Sequence, residues 1–190
     1  MQYSYIITAF VAITLIAIVY IFTRNKKKEK DMESNTNQFV IVEERNPLFN
    51  ERINPTYNER INPTYNEAIS PMHNEAISPM HNEAISPYHN ESMHPLNNET
   101  LHPFHNPDIP YFHYFNLENA AEYIVVPAQT NDFCVYLDAS YQLKQFAVSN
   151  GEQGFNVFSM KQEWIGYLVP DQENGYVQFD TDNNWVGYLK

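Results

Sequence analysis

The chain has 190 residues and a formal net charge of −12, which excludes a nucleic-acid binder built on a basic face because an acidic surface repels phosphate. One Cys excludes an internal disulfide framework and a multi-Cys zinc site. The mean hydropathy of −0.50 averages over unlike pieces and describes none of them.

The first piece is residues 1–23. Tyr5 to Phe22 reads YIITAFVAITLIAIVYIF, without a charge, Pro or Gly. As a helix it spans about 27 Å, close to the ~30 Å hydrocarbon core, and a helix satisfies its own amides in lipid. Tyr3, Tyr5 and Tyr20 sit near its ends, where amphipathic rings favour the interface. A cleaved signal peptide fits less well: the N-side is uncharged and TRNKKKEK follows in place of a small-residue cleavage site. The expectation is a single-pass signal-anchor in a lipid bilayer. Residues 24–45 form a basic juxtamembrane segment and linker. Arg24, Lys26, Lys27, Lys28 and Lys30 stand against the single Glu29, which places the N-terminus outside and the rest in the cytoplasm. Asn90 and Asn98 open N-x-[ST] sequons that this orientation leaves unmodified.

Residues 46–109 are eight consecutive octapeptides, from NPLFNERI to HPFHNPDI, with Pro at 47, 55, 63, 71, 79, 87, 95 and 103. The period is too short for a solenoid unit of 20 or more residues. Pro in every copy excludes a continuous helix or an interior strand. Asn-Pro and Ser-Pro initiate turns, so the expectation is a mostly disordered tandem-repeat linker with turns. One apolar residue closes each unit, from Ile53 to Ile109, which leaves room for ordering against a partner.

Two motifs lie on this array. Asn54-Pro55-Thr56-Tyr57 and Asn62-Pro63-Thr64-Tyr65 match NPxY, and Asn46-Pro47-Leu48-Phe49 is close to it. They resemble the signals read by phosphotyrosine-binding and clathrin-adaptor domains. That resemblance implies a cytosolic adaptor protein as partner, with Asn54, Pro55, Tyr57, Asn62, Pro63 and Tyr65 as its contacts. The usual apolar residue two places before the Asn is replaced by Glu44, Arg52 and Arg60. Seven His residues fall between His73 and His113. Their main spacing of eight through Pro-broken chain does not make a zinc site, and drift from Tyr and Asn accounts for them.

Residues 110–190 are the β-rich part. All five Gly and both Trp lie here. Candidate strands are Glu122–Val126, Phe133–Leu137, Gln142–Val148, Phe155–Ser159, Trp164–Val169, Tyr176–Asp180 and Trp185–Leu189, with a short possible helix at Leu117–Tyr123. WIGYL at 164–168 echoes WVGYL at 185–189. With Val135, Val157 and Val177 similarly placed, this suggests successive hairpins in a small all-β antiparallel meander or barrel-like domain, with Trp164 and Trp185 as equivalent core pieces. A carbohydrate platform is the other reading of these rings. Gly166 and Gly187 in mid-strand suggest a bulge or a close approach. So small a domain needs its aromatic mass or self-association, so a homo-oligomer is an expected state. Cys134 in an apolar strand reads as a buried inert thiol. No catalytic, cofactor or metal motif is present. High Asn and few Gly suit an AT-rich genome such as that of a large DNA virus. The reading is a membrane-anchored binding or scaffolding protein, not an enzyme, that displays a β domain on a repeat tether. Trp164, Trp185 and the NPxY-like residues are its candidate partner contacts. A trafficking or adaptor-recruiting tail is the alternative.

Overall fold

The computed structural model describes residues 46–190. The expected membrane helix and basic segment lie outside the described residues. Among the described residues, no helix is long and apolar enough to cross a membrane.

The octapeptides are ordered, which corrects the expectation of a disordered linker. Each copy is two tight turns in tandem. In the second copy, the N–H groups of Tyr57 and Asn58 both donate to the Asn54 carbonyl (3.1 and 3.0 Å), and a 3₁₀ turn follows at Glu59–Ile61. The same 3₁₀ turn recurs at Glu67–Ile69, Glu75–Ile77, Glu83–Ile85, Glu91–Met93 and Glu99–Leu101. Proline sits at the first helical position of the other turn, where its missing N–H removes no bond and its fixed φ suits the backbone. Pro excludes a long helix but favours a series of single turns.

The Asn at the fifth position of the second to seventh copies holds the series together. Its Oδ1 accepts the N–H two residues ahead, capping its own turn: the Arg60 N–H donates to Asn58, Ala68 to Asn66 and Ala76 to Asn74, at 3.1–3.2 Å. Its Nδ2 donates to the carbonyl six residues back, in the preceding copy. These rungs are Asn58 to Arg52, Asn66 to Arg60, Asn74 to Ala68, Asn82 to Ala76, Asn90 to Ala84 and Asn98 to Ser92, at 2.6–2.8 Å. One side chain thus caps a turn and ties it to its neighbour.

The rest is a closed antiparallel barrel of eight strands in sequence order: β1 Phe112–Asn116, β2 Ala121–Pro127, β3 Phe133–Leu137, β4 Leu143–Ser149, β5 Phe155–Ser159, β6 Trp164–Pro170, β7 Tyr176–Phe179 and β8 Trp185–Leu189. The barrel-like expectation holds. β1 was not among the candidate strands, and the expected short helix does not form. Asn116 Oδ1 accepts the Ala120 N–H (2.9 Å) and Asn119 takes a left-handed φ of 64°, so the chain reverses there and enters β2. Four hairpins share this turn. Asn116, Asp138, Ser159 and Asp180 each accept a loop N–H, and Asn119, Tyr141, Gln162 and Asn183 take φ between 58° and 66° three residues later. Each hairpin then shifts register by a bulge, which increases local twist and helps a short sheet to close. The barrel is therefore one hairpin used four times. At Gly187 a Cβ would lie 2.5 Å from the Phe115 carbonyl oxygen, and at Gly166 it would meet the Phe179 carbonyl, so both mid-strand glycines mark close approaches.

Strand alternation gives the barrel two apolar faces. Tyr114, Val125, Cys134, Tyr136, Ala147, Phe155, Val157, Leu168 and Leu189 fill the inside. The Tyr136 hydroxyl donates across the lumen to Gln178 Oε1 (3.0 Å). Val135 and Val177 face outward while Val157 faces inward, so the three valines are not equivalent as expected. The outer wall is covered by the octapeptides, which wrap the barrel as a belt. Ile53 packs on Tyr167, Val169, Val177 and Phe179 of β6 and β7. Met93 packs on Phe146, Val148 and Phe158 of β4 and β5. Leu101 and Ile109 pack on Val126, Val135 and Leu137 of β2 and β3. Midway, Asn156 of β5 donates Nδ2 to the Ile69 carbonyl (2.9 Å) in a fully buried bond. The array runs against strand order, from β7 back to β2, and then feeds β1.

Burial pushes the Cys134 thiol pKa up, in line with the inert thiol expected. Native protein should react with a small maleimide at least about a hundredfold more slowly than unfolded protein, because the thiolate forms only when the barrel opens. Rapid native labelling, followed by mass spectrometry, would contradict this packing.

Candidate interaction surface

The octapeptide has an inner and an outer side. The closing apolar residue and the Asn-Pro or Ser-Pro pair face the barrel: Ile69, Asn62, Ser70 and Ser86 are all buried. The third and fourth positions face solvent. Phe49, Tyr57, Tyr65, Met72, Met80, Tyr88, Leu96 and Phe104 are 58–79% exposed, one large side chain in each copy. Scattered exposed apolar residues are ordinary, but a row at a fixed period on hydrogen-bonded turns is a patterned surface. The row is flanked by carboxylates. Glu51, Glu59, Glu67, Glu75, Glu83, Glu91, Glu99 and Asp108 are all exposed, against only Arg52 and Arg60. Arg60 lies 3.7 Å from Glu152 in an exposed pair.

Each expected contact residue now has a place. Asn54, Pro55, Asn62 and Pro63 are buried against the barrel, and Asn62 Nδ2 donates to the Pro55 carbonyl (3.0 Å). Tyr57 and Tyr65 point outward. The NPxY-like turn is formed and shows its ring, but the segment before it is a helical turn ending in buried Ile53, so it offers no free strand for addition to a sheet edge. The sequon residues Asn90 and Asn98 are rung residues. Their amide nitrogens, where a glycan would attach, donate to Ala84 and Ser92. His73, His81, His89 and His105 line the outer side. At the end of the array the His102 ring lies 4.7 Å from His105 and 5.2 Å from Tyr141, and burial, then His105, holds its pKa below the ordinary value.

Trp164 and Trp185 begin β6 and β8 at equivalent bulges. They are equivalent, as expected, but lie on the outer wall with Ile61, half-buried, and not inside the barrel. The Trp185 indole donates to the Gly187 carbonyl (2.9 Å), which fixes its ring. Beside it a cleft of about 590 Å³ opens between the belt and the β7–β8 turn, lined by Thr56, Asn62, Tyr65, Asp182, Asn183, Asn184 and Trp185. The fold thus brings Asn62, Tyr65 and Trp185 to one place, whereas Tyr57 and Trp164 are not part of it. Asp182 and Asn183 were missed as contact residues. Their Asp-x-Asp-x-Asn stretch reads as a hairpin turn, and nothing local shows that the belt passes beside it.

Comparison with protein-family models, curated proteins and solved structures finds no match for this chain.

Proposed function

We propose that the chain is a single-pass membrane-anchored docking protein that presents a belted β-barrel to a protein partner in the cytoplasm. The carrying observation is the row of exposed large side chains, one per octapeptide, on a belt fixed to the barrel wall. Preorganised apolar side chains bind at low entropic cost, and several in line give one extended contact. The barrel interior is filled by side chains, so the outer face is the surface offered for recognition. Anchorage rests on the apolar run at 5–22, and the cytoplasmic orientation on the lysines that follow it. The sequons support that orientation, because a glycan on Asn90 or Asn98 would cost a rung. The exposed rings of Tyr57 and Tyr65 on formed Asn-Pro turns favour a second reading, adaptor recruitment.

One experiment separates the two. Full-length protein is expressed in cells with Met72, Met80, Leu96 and Phe104 all changed to Ser, or with Tyr57 and Tyr65 changed to Ala, and neighbours are captured by proximity labelling. Docking through the row predicts that the first variant loses the labelled partners and that the second, which removes two of the eight row members, loses fewer. The reverse pattern supports the adaptor reading, and unchanged labelling in both removes the two together. Extraction of the wild-type chain by alkaline carbonate would remove the anchor.

A further inference from the structure

The cleft between the belt and the β7–β8 turn contains groups that the fold leaves unused. Among the described residues, no hydrogen bond engages the Thr56 hydroxyl, the Tyr65 hydroxyl or the Asp182 carboxylate. Asn183 uses Oδ1 to accept from Tyr167 (2.6 Å), and Asn184 uses Nδ2 to donate to Asp180 (3.0 Å), so each keeps the other half of its amide. Trp185 is backed by the cluster of Ile53, Tyr167, Val169, Val177 and Phe179 and fixed by its own indole bond, while Tyr65 is 65% exposed. The cleft therefore offers two aromatic rings from separate layers, a carboxylate, the Asn184 Oδ1 and two hydroxyls as oxygen acceptors, and the Asn183 Nδ2 as a donor.

This set suits a positive group. An aromatic face attracts a cation through its quadrupole, most strongly for Trp, and a nearby carboxylate adds Coulomb attraction. An anion would meet Asp182 within a chain of net charge −12. Neither belt arginine lines the cleft, and Arg60 pairs with Glu152. Weakly hydrated organic cations gain most from such a site, because they give up less hydration than a bare ammonium. A volume of about 590 Å³ exceeds the need of one small head group and admits the stem and flanking backbone of a side chain.

We propose that this cleft receives an organic cation, the guanidinium of an arginine or the alkylated ammonium of a lysine, presented by a protein partner. The inference rests on the docking reading for the source of the cation, but cation binding itself is testable without any partner.

The test uses full-length protein in detergent, with ¹⁵N-labelled indoles followed by NMR. Trp164 and Trp185 give two indole signals, assigned by a Trp164→Phe variant. The probes are the blocked amides of arginine, trimethyllysine and norleucine. Arginine or trimethyllysine amide should shift the Trp185 signal saturably, and the neutral norleucine amide should not. Asp182→Asn and Tyr65→Leu change exposed side chains and leave the fold in place, and each should weaken binding about tenfold. Tyr88→Leu, on a copy outside the cleft, should leave binding unchanged. The proposal is overturned if neither cation gives a saturable shift, if norleucine amide does as well, or if both cleft variants bind like wild type. Cation binding without loss of cellular partners in the row variant would sink the docking reading and leave the cleft standing.

Discussion

Residues 110–190 produced without the octapeptides should fail to fold as a soluble monomer. The barrel has an apolar outer wall as well as an apolar interior. Val126, Val135, Leu137, Phe146, Val148, Phe158, Tyr167, Val169, Val177 and Phe179 all face outward, and all are buried in the intact chain. Without the belt they would form a patch far beyond what soluble monomers expose. Ile53, Ile69, Met93, Leu101 and Ile109 are at most 8% exposed. At about 2 kcal/mol for each such side chain, their burial alone contributes about 10 kcal/mol. That is an upper estimate, because unfolded chains already bury some surface. It is nonetheless comparable with the whole stability of a domain, about 5–15 kcal/mol. The expected result is collapsed or aggregated material with poor NMR dispersion and no cooperative melt. Addition of a peptide covering 46–109 should restore dispersion. A truncated monomer with a dispersed spectrum and a sharp thermal transition would show that the belt is an accessory and not part of the core.

The same double-sided wall explains what could be read from the sequence and what could not. Seven of the eight strands are legible because short Val-, Phe- and Tyr-rich runs are separated by polar turns. Gly166 and Gly187 announce close approaches because a strand otherwise keeps a side chain at such positions. β1 was hidden because Phe112-His113-Tyr114-Phe115 follows the last octapeptide by only two residues, so the turn signals ahead of it read as part of the repeat. The fourfold hairpin is legible in only two copies, through WIGYL and WVGYL, since the four share a turn geometry more than residues: Asn, Asp, Ser and Asp accept the loop N–H, and Tyr141 or Gln162 can take the left-handed position that Asn fills elsewhere. The belt was misread for a different reason. An eight-residue unit with one apolar side chain cannot bury itself, so in isolation it reads as disordered. Its burial partner lies in sequence beyond the array, on the outer face of strands whose unbroken apolar runs, such as Tyr167-Leu168-Val169, carry the trace of a second covering layer. The cleft is a consequence of that contact. Tyr65 and Trp185 stand out separately by composition, but only the wrapping of the belt past the β7–β8 turn brings them to one cavity with Asp182.

If the fifth-position Asn is what makes the octapeptide a structure, replacing Asn66, Asn74 and Asn82 together by Ala should release the middle of the belt. Each loses a cap, worth about 1 kcal/mol, and a rung bond worth about as much again. The partner carbonyls lie near solvent and can take up water, which puts the rung toward the low end of its range. A total of about 3–6 kcal/mol follows, with some coupling because Ala68 and Ala76 each donate to one of these Asn side chains and accept from the next. Changing the same three residues to Ser separates the two roles, since a hydroxyl still caps the turn but cannot reach six residues back. The Ser variant should lose roughly half as much. Amide exchange should locate the effect: protection falls across 60–85, while β2 and β3, covered by Leu101 and Ile109, keep theirs longest. The buried Asn156 amide would still hold the Ile69 carbonyl, so the release should be incomplete at that point. Equal stability of the Ser variant and wild type would mean that the rungs contribute nothing and that caps and barrel contact order the belt. Equal loss in the Ser and Ala variants would mean that the caps are idle and the rungs carry the array.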